Sequence, residues 1–343
     1  MFASKAERII LDYAGADGLN DVLHNLSGVA AAGRFLWTAS DEGRTIECLE
    51  PDGDGYRLRQ QHKLNRQFPN LPDEREDHDD KPAEVDIESL AVCDGTLWIC
   101  GSHCKVRWKT KEDREKERTQ QRFRPRPEFN KRASRHLLGK VALKDEGGGL
   151  QDGGDHLPFK EKGSLRRALK ENRFLKPFIG LPSKENGLDI EGFTTRDGKR
   201  LFFGLRGPLV DSFAVVVELE VTGGLKLADR QMVMHFLDLK GLAVRDLAQS
   251  GEEILVLSGP VSDAGTPFRL YRWQPLRSRD AQSPAECHHW PLDPEHGTGL
   301  GEKPEAICRL DHQGRSGLIV LYDKPNPWRI EGTGYTADWI PLA

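Results

Sequence analysis

The stretch DIEGFTTRDGKRLFFGLRGP, residues 189–208, reads as an acid, a short apolar run, a turn and a second apolar run that ends in small or polar residues. The same order of features recurs in DIESLAVCDGTLWICGSH (86–103), VRDLAQSGEEILVLSGP (244–260) and KPEAICRLDHQGRSGLIVLYDKP (303–325). A weaker copy, NLSGVAAAGRFLWTASDE, occupies residues 25–42. Such self-similarity along a chain indicates a repeat architecture.

Each copy has the pattern of a β-hairpin, because its two apolar runs are rich in β-branched and aromatic residues and are separated by turn sequences such as Asp94-Gly95. Further strand candidates follow each hairpin, so a repeat of about 55–60 residues supplies four antiparallel strands. The sequence therefore predicts an all-β fold, a β-propeller of four-stranded antiparallel blades formed by residues 1–343 as a single domain. Five copies favour five blades, with six as the alternative, and both chain ends are expected to close the ring.

The amino-acid composition limits the kinds of binding partner and the cellular setting that we expect for this chain. The net charge is −4, which gives no reason to expect a nucleic-acid or membrane partner. No apolar run approaches the length of a membrane span, and the first residues lack the pattern of a secretory signal. The six cysteines are scattered and several fall in predicted strands, which favours reduced thiols in a cytoplasmic protein over a disulfide framework.

Two segments interrupt the repeats. Residues 105–135 form a basic insertion with 13 Lys or Arg against 5 Asp or Glu, including a run of alternating charge at 109–118 that predicts an exposed helix. Few aromatic residues are interleaved with these charges, so we expect a lid over the channel mouth that favours a small anionic substrate, and no nucleic-acid binding. Residues 146–187 connect two blades and contain an amphipathic helix pattern at 163–181.

The repeats place polar residues at one end of the channel. The first strand of a propeller blade lines the channel and the second returns beside it, so the start of the first and the end of the second lie at the same mouth. Acids stand at or near the starts of four first strands: Glu88, Glu191, Asp246 and Glu305, with Ser27 in the fifth copy. The ends of the second strands carry Asp41, Ser102 and His103, Arg206, Gly259 and Asp323.

Carboxylates around one narrow axis repel one another unless a cation, a basic side chain or shared protons compensate them. Oxygen ligands from several blades suit Ca²⁺ or Mg²⁺, so we expect Glu88, Glu191, Asp246 and Glu305 to hold a divalent cation. Arg206 is either the internal counter-charge or a fork that binds the anion of a substrate. Alternatively, each acid accepts hydrogen bonds from neighbouring turns and holds blade to blade.

The motifs GLDIEG…RLFFGLRGP, DIESLA…LWICGSH, RDLA…ILVLSGP and KPEAI…LIVLYDKP resemble the bacterial family called domain of unknown function 3616 over nearly the whole chain. The resemblance implies a β-propeller distantly similar to phytase-like esterases and calcium-dependent gluconolactonases. Those relatives bind divalent metal through acidic residues at blade starts and hydrolyse phosphoesters or lactones. Ser89 and Ala306 depart from the family's Glu-Gly pair, and Ser27 lacks the acid.

Two functions follow from this pattern. The first is a metal-assisted hydrolase of a small ester, lactone or phosphoester, in which Arg206 clamps the substrate and His103 or Asp323 is the general acid or base. The second is a non-catalytic binding or scaffold propeller with a structural cation. They differ in whether the cation has an open coordination position that faces a pocket.

Overall fold

Five groups of antiparallel strands surround one channel in the part of the chain that the computed structural model describes. The described residues are 6–73, 75–76, 79–106, 132–228, 232–262, 267–278, 280–290 and 302–342. The innermost strands of the five groups contact one another in sequence, and the last contacts the first. The predicted β-propeller fold is therefore confirmed.

The strands are grouped here by blade. Strand β1 (Glu7–Asp12) belongs to the last blade, and blade 1 consists of β2 (Leu26–Ala32), β3 (Phe35–Ser40), β4 (Thr45–Asp52) and β5 (Gly55–Lys63). A separate hairpin follows, formed by β6 (Arg75–Glu76) and β7 (Asp79–Pro82). Blade 2 consists of β8 (Ile87–Cys93), β9 (Thr96–Gly101), β10 (Leu138–Lys144), and the short strands β11 (Gly149–Leu150) and β12 (Asp155–His156), which both pair with β10.

The remaining three blades follow the same order from the channel outward. Blade 3 consists of β13 (Asp189–Thr195), β14 (Arg200–Gly207), β15 (Ala214–Thr222), β16 (Lys226–Leu227) and β17 (Val233–Leu237). Blade 4 consists of β18 (Ala243–Ser250), β19 (Glu253–Gly259), β20 (Phe268–Trp273) and β21 (Ala285–Trp290). Blade 5 consists of β22 (Lys303–His312), β23 (Arg315–Asp323), β24 (Ile330–Glu331), β25 (Gly334–Pro341) and β1.

The ring closes through strands from both ends of the chain, as the sequence predicts. Strand β25 pairs with β23, and β1 then pairs antiparallel with β25 along its whole length. Strand β1 also pairs in parallel with β5 of blade 1 at Leu11 and Asp12. Blades 5 and 1 therefore share one nine-stranded sheet.

Short turns set the register of the inner hairpins. The turn between β8 and β9 is Asp94-Gly95, with φ of 47° and 67°, and the turn between β22 and β23 is Gln313-Gly314, with φ of 49° and 71°. Two successive positive φ values match the right-handed twist of the flanking strands. These turns fix which side chains reach the mouth at the opposite end of each hairpin.

Helices are few and short in the described residues. They are α1 (Leu19–His24), α2 (Leu64–Gln67) and α3 (Leu165–Glu171), with single turns of 3₁₀-helix at Ala133–His136, Asp145–Gly147, Ser183–Glu185 and Pro327–Arg329. None of these helices is long and apolar enough to cross a membrane. Helix α3 lies within the helical pattern predicted at 163–181. Most of the basic insertion at 105–135, with the helix expected at 109–118, lies outside the described residues.

The apolar core lies between neighbouring blades. Trp98 of β9 packs against Phe193 of β13, with ring centroids 6.0 Å apart, and Phe193 packs against Phe203 of β14. Leu165 and Leu169 of α3 are buried in the same cluster, so the helix covers the junction of blades 2 and 3. The six cysteines are free, and four of them are buried. Burying a large apolar side chain stabilises a fold by about 1.5–3 kcal/mol, so these junctions contribute to the stability of the ring.

Blade 1 buries one acid far from the mouth arginines. Glu47 of β4 is fully buried, and its Oε1 accepts hydrogen bonds from Thr45 Oγ1 (2.7 Å) and Gln61 Nε2 (3.1 Å). Its Oε2 has no partner among the described residues. Burial raises the pKa of Glu47 to about 7, against the effect of the two hydrogen bonds. The folded protein is therefore more stable when the Glu47 carboxyl is protonated than when it is ionised.

Glu47→Gln should make stability less dependent on pH. Because the pKa of Glu47 is raised from 4.5 to about 7 on folding, its stabilising effect is complete below pH 4.5 and is lost as the pH rises through 7. Between pH 5 and 8 the wild type should lose about 3 kcal/mol of unfolding free energy relative to Glu47→Gln in urea titrations. Glu50→Gln, at an exposed ion pair, is the control. Parallel pH curves for wild type and Glu47→Gln would contradict this assignment.

Candidate functional site

A β-bulge near the start of each inner strand brings one side chain to the channel mouth. The pairing of each inner strand with the second strand of its blade is irregular there, and one residue is left without a paired partner. The five unpaired residues are Ser27, Glu88, Glu191, Arg245 and Glu305. Bulges re-aim side chains in this way next to functional sites.

The expected equivalence of Asp246 with the other acids is wrong by one residue, because Arg245 occupies the bulge position of blade 4. Asp246 instead lies between the inner strands. Its Oδ1 accepts hydrogen bonds from Ser89 Oγ (2.9 Å) and Leu247 N (2.8 Å), and its Oδ2 accepts one from Ile307 N (2.8 Å). Asp246 therefore ties blades 2, 4 and 5 together, which is the alternative role that the sequence left open.

The packing around Asp246 also explains the glycine of the Glu-Gly pair. A Cβ atom at Gly192 would lie 2.9 Å from the backbone carbonyl carbon of Asp246. Strands β13 and β18 can approach this closely only because position 192 has no side chain. The glycine next to Glu191 thus sets how near blades 3 and 4 come to each other at the mouth.

Three buried carboxylates converge at the mouth and form a group that could hold a metal ion. Glu88, Asp189 and Glu191 each offer one oxygen, and the three oxygens lie within 4.8 Å of one another. Glu88 makes no hydrogen bond or ion pair with any described residue. Asp189 Oδ1 and Glu191 Oε2 are buried and have no hydrogen-bond partner among the described residues. Acceptors left unused in this way are rare in protein interiors.

Arg206 holds two of these acids in place. Its Nε and Nη2 donate to Asp189 Oδ2 at 3.0 and 2.6 Å, and its Nη1 lies 2.6 Å from Glu191 Oε1. The guanidinium fork is thus occupied by one oxygen of each carboxylate. The other oxygen of Asp189 has no described hydrogen-bond partner, and that of Glu191 lies 3.0 Å from Arg245 Nε. Of the two roles expected for Arg206, the geometry matches the internal counter-charge.

Glu305 lies on the other side of Glu191 and belongs to a different ion pair. Both of its carboxylate oxygens contact Nη2 of Arg245, and Arg245 Nε lies 3.0 Å from Glu191 Oε2. Glu305 is not a member of the group formed by Glu88, Asp189 and Glu191. Of the four expected metal ligands, the structure therefore brings together Glu88 and Glu191 and adds Asp189, the first residue of β13.

Among the described residues, the carboxylates of the mouth outnumber the arginines that pair with them. Burial raises the pKa of Glu88 well above its usual range, and repulsion from Glu191, Asp86 and Asp189 adds to this shift. Burial also raises the pKa of Glu191 to about 7 despite the nearby arginines Arg206 and Arg245. No described arginine forms an ion pair with Glu88, so among the described residues its charge is left for a cation or a proton to compensate.

Asp86, in contrast, is already compensated. Its backbone has a φ of 57°, and its Oδ2 accepts hydrogen bonds from Ser102 Oγ and from Arg135 Nη1, the latter at 2.9 Å. Arg135 also pairs with Glu84. These contacts fix the backbone just before β8. Asp86 is therefore a neighbour of the group formed by Glu88, Asp189 and Glu191 and not a member of it.

His103 is shielded from the mouth. It is 1% exposed, its ring stacks on that of His136 with centroids 5.7 Å apart, and its Nδ1 lies 2.9 Å from the carbonyl of Gly101. Burial, with the neighbouring His136, lowers the pKa of His103 to about 3. A neutral, buried imidazole in this position does not match the expected acid–base role, and nothing in the arrangement brings His103 to a substrate.

Asp41 and Asp323 line the more open side of the mouth. Burial raises the pKa of Asp41 to about 9, and repulsion from Asp86, Asp323 and Glu305 acts in the same direction. Asp41 Oδ1 has no partner among the described residues. The side chain of Asp323 is 20% exposed and lies 3.8 Å from the ammonium of Lys324. This side of the mouth thus offers a protonated carboxyl near an accessible carboxylate.

Several solved structures are similar to this chain at low identity. Xylan β-1,4-xylosidase from Bacillus halodurans is 13% identical, with a TM-score of 0.48 over 94% of this chain and 53% of that chain. Exo-β-1,3-galactanase from Phanerochaete chrysosporium is 10% identical, with a TM-score of 0.46 over 98% of this chain and 64% of that chain. This chain thus spans less than two thirds of either enzyme.

The Cps50 (Swd1) β-propeller domain from Myceliophteria thermophila is 11% identical, with a TM-score of 0.33 over 93% of this chain and 84% of that chain. These likenesses concern the fold alone. No curated protein matches the chain in sequence. The family model described as "Protein of unknown function (DUF3616)" matches residues 25–338, and the chain belongs to that family.

Proposed function

We propose that the mouth binds one divalent cation through Glu88, Asp189 and Glu191, and that the protein is a cation-dependent hydrolase of a small ester, lactone or phosphoester. The observation that carries this proposal is the convergence of three buried carboxylates, each with one oxygen within 4.8 Å of the others. Oxygen-only ligands favour Ca²⁺ or Mg²⁺ over zinc. The free cysteines support a reducing, cytoplasmic setting.

The residues of the mouth have different roles in the proposed hydrolysis. Arg206 orients Asp189 and Glu191 and leaves Asp189 Oδ1 without a described hydrogen-bond partner. Asp323 is accessible and serves as the general base, while the protonated carboxyl of Asp41 donates a proton to the leaving group. A bound cation would supply the Lewis acid that polarises the scissile group or activates water. His103 takes no part.

An aryl phosphate, an aryl acetate and a six-membered lactone test the proposal. Turnover of at least one should require Ca²⁺ or Mg²⁺ and disappear in excess chelator. Asp323→Asn should lower kcat about 100-fold with little change in KM, because general bases contribute at least this much. Glu253→Gln, at an exposed ion pair at the start of β19, should match the wild type.

The alternative function is a binding or scaffold propeller with a structural cation, and the burial of the candidate ligands favours it: Glu88 is 9% exposed and Glu191 1%. Under this alternative, Ca²⁺ raises the thermal midpoint but none of the three substrates is hydrolysed. If neither stability nor turnover responds to Ca²⁺ or Mg²⁺, the proposed function fails as a whole.

A further inference from the structure

Blade 4 departs from the other blades in the charge that it brings to the mouth. The bulge residues of blades 2, 3 and 5 are glutamates, whereas blade 4 has Arg245. The Arg245 side chain is 8% exposed, so its charge is almost wholly withdrawn from water. A buried guanidinium is stable only if carboxylates pair with it.

Arg245 lies between two of the glutamates. Its Nε is 3.0 Å from Glu191 Oε2, and its Nη2 contacts both oxygens of Glu305. Although burial acts to lower it, these two carboxylates raise the pKa of Arg245, so its charge is permanent. One side chain therefore occupies the space between Glu191 and Glu305 that an ion could otherwise fill.

We propose that Arg245 is a built-in cation that takes the place of a second divalent ion between Glu191 and Glu305. By doing so it limits exchangeable cation binding to the group formed by Glu88, Asp189 and Glu191. The second part of this inference rests on the proposed function, but the first part does not, because the contacts of Arg245 are made without any ion.

The physical basis is electrostatic: the two glutamates can compensate only a limited amount of positive charge. A divalent ion beside the buried guanidinium of Arg245 would be repelled by its permanent charge, so a second ion is strongly disfavoured there. Neutralising position 245 removes this repulsion. It also leaves Glu305 without its described counter-charge and Glu191 with Arg206 alone, an arrangement that recruits a cation.

Calorimetric titration of chelator-treated protein with CaCl₂ tests this assignment. Wild type should bind one Ca²⁺, and Arg245→Gln should bind two. Arg245→Lys keeps the charge and should bind one, while the double variant Arg245→Gln/Glu305→Gln loses the partner carboxylate and should return to one. Each variant is first checked for folding by circular dichroism with and without Ca²⁺.

The outcomes separate the two proposals. If wild type binds no Ca²⁺ and Arg245→Gln binds one, the proposed function fails while the role of Arg245 stands. If Arg245→Gln folds only when Ca²⁺ is present, the ion has replaced the guanidinium and the inference holds. A folded Arg245→Gln with the wild-type stoichiometry would overturn it. So would an Arg245→Gln that stays unfolded at every Ca²⁺ concentration while Arg245→Lys folds.

Discussion

Replacing Arg206 with methionine should lower the unfolding free energy of chelator-treated protein by about 4 kcal/mol. The variant keeps an unbranched apolar stem but leaves Asp189 and Glu191 without the guanidinium that contacts both. These acids are 0% and 1% exposed, so water cannot replace the lost charge. Removing one partner of a buried ion pair is costly because the other charge remains buried.

Arg200→Met is the matched control for Arg206→Met. Arg200 begins the same strand, β14, and its side chain is 37% exposed in a pair with Asp197 at 2.9 Å. Exposed pairs contribute about 0–1 kcal/mol, so this variant should be close to the wild type in urea titrations. Adding Ca²⁺ should restore part of the stability that Arg206→Met has lost. Equal losses in the two variants would show that Arg206 is not a special counter-charge.

Asp246→Ala should destabilise the protein by a similar amount, about 4 kcal/mol, without changing its affinity for Ca²⁺. The substitution leaves Leu247 N and Ile307 N without the carboxylate that accepts their hydrogen bonds, whereas Ser89 Oγ keeps the carbonyl of Phe193 as an acceptor at 3.2 Å. Each buried donor without a partner costs about 1–3 kcal/mol. Burial raises the pKa of Asp246, and this cost of holding the acid offsets part of the loss.

Asp246→Asn provides the finer comparison, because its amide keeps one acceptor oxygen and should lose about half as much stability as Asp246→Ala. Both variants should bind Ca²⁺ as tightly as the wild type in calorimetry, since Asp246 lies between strands rather than among the free oxygens of the mouth. A Ca²⁺ affinity reduced tenfold or more in Asp246→Asn would instead make this residue a metal ligand.

Much of the fold could be predicted because the repeat determines it. The five hairpin motifs give the inner and second strands of the blades, and their turns are visible as pairs such as Asp94-Gly95. Closure by both chain ends could also be predicted, because one apolar run precedes the first repeat and others follow the last. The short outer strands β11 and β12 could not be predicted, since strands of two residues carry no alternating pattern.

The site could be predicted only in part, because its details depend on the bulges. Placing the acids of all repeats in one register put Asp246 at the mouth, whereas the bulge puts Arg245 there. The apolar residues hold the correct signal, since Leu247 then aligns with Leu90, two residues after Arg245 and Glu88. Asp189 is among the metal candidates because the pairing between β13 and β14 changes register on both sides of Ile190. No sequence pattern shows these changes.

Calcium should raise the stability of the wild type and leave that of Glu88→Gln unchanged. Glu88 is suited to this test because it has no ion pair with any described residue. Neutralising it therefore leaves no described basic side chain unpaired, and it removes the repulsion from Glu191 and Asp189. In excess chelator Glu88→Gln should therefore be at least as stable as the wild type. Glu253→Gln, which removes an exposed glutamate on β19, is the matched control.

The deciding measurement is the unfolding free energy of these three proteins with chelator and with Ca²⁺ at about 100 times its dissociation constant. Ligand binding to the folded state predicts a gain of about 2.7 kcal/mol for wild type and Glu253→Gln, and none for Glu88→Gln. A wild type that gains nothing from Ca²⁺ or Mg²⁺, or a Glu88→Gln variant that gains as much as the wild type, would contradict a cation site at Glu88, Asp189 and Glu191.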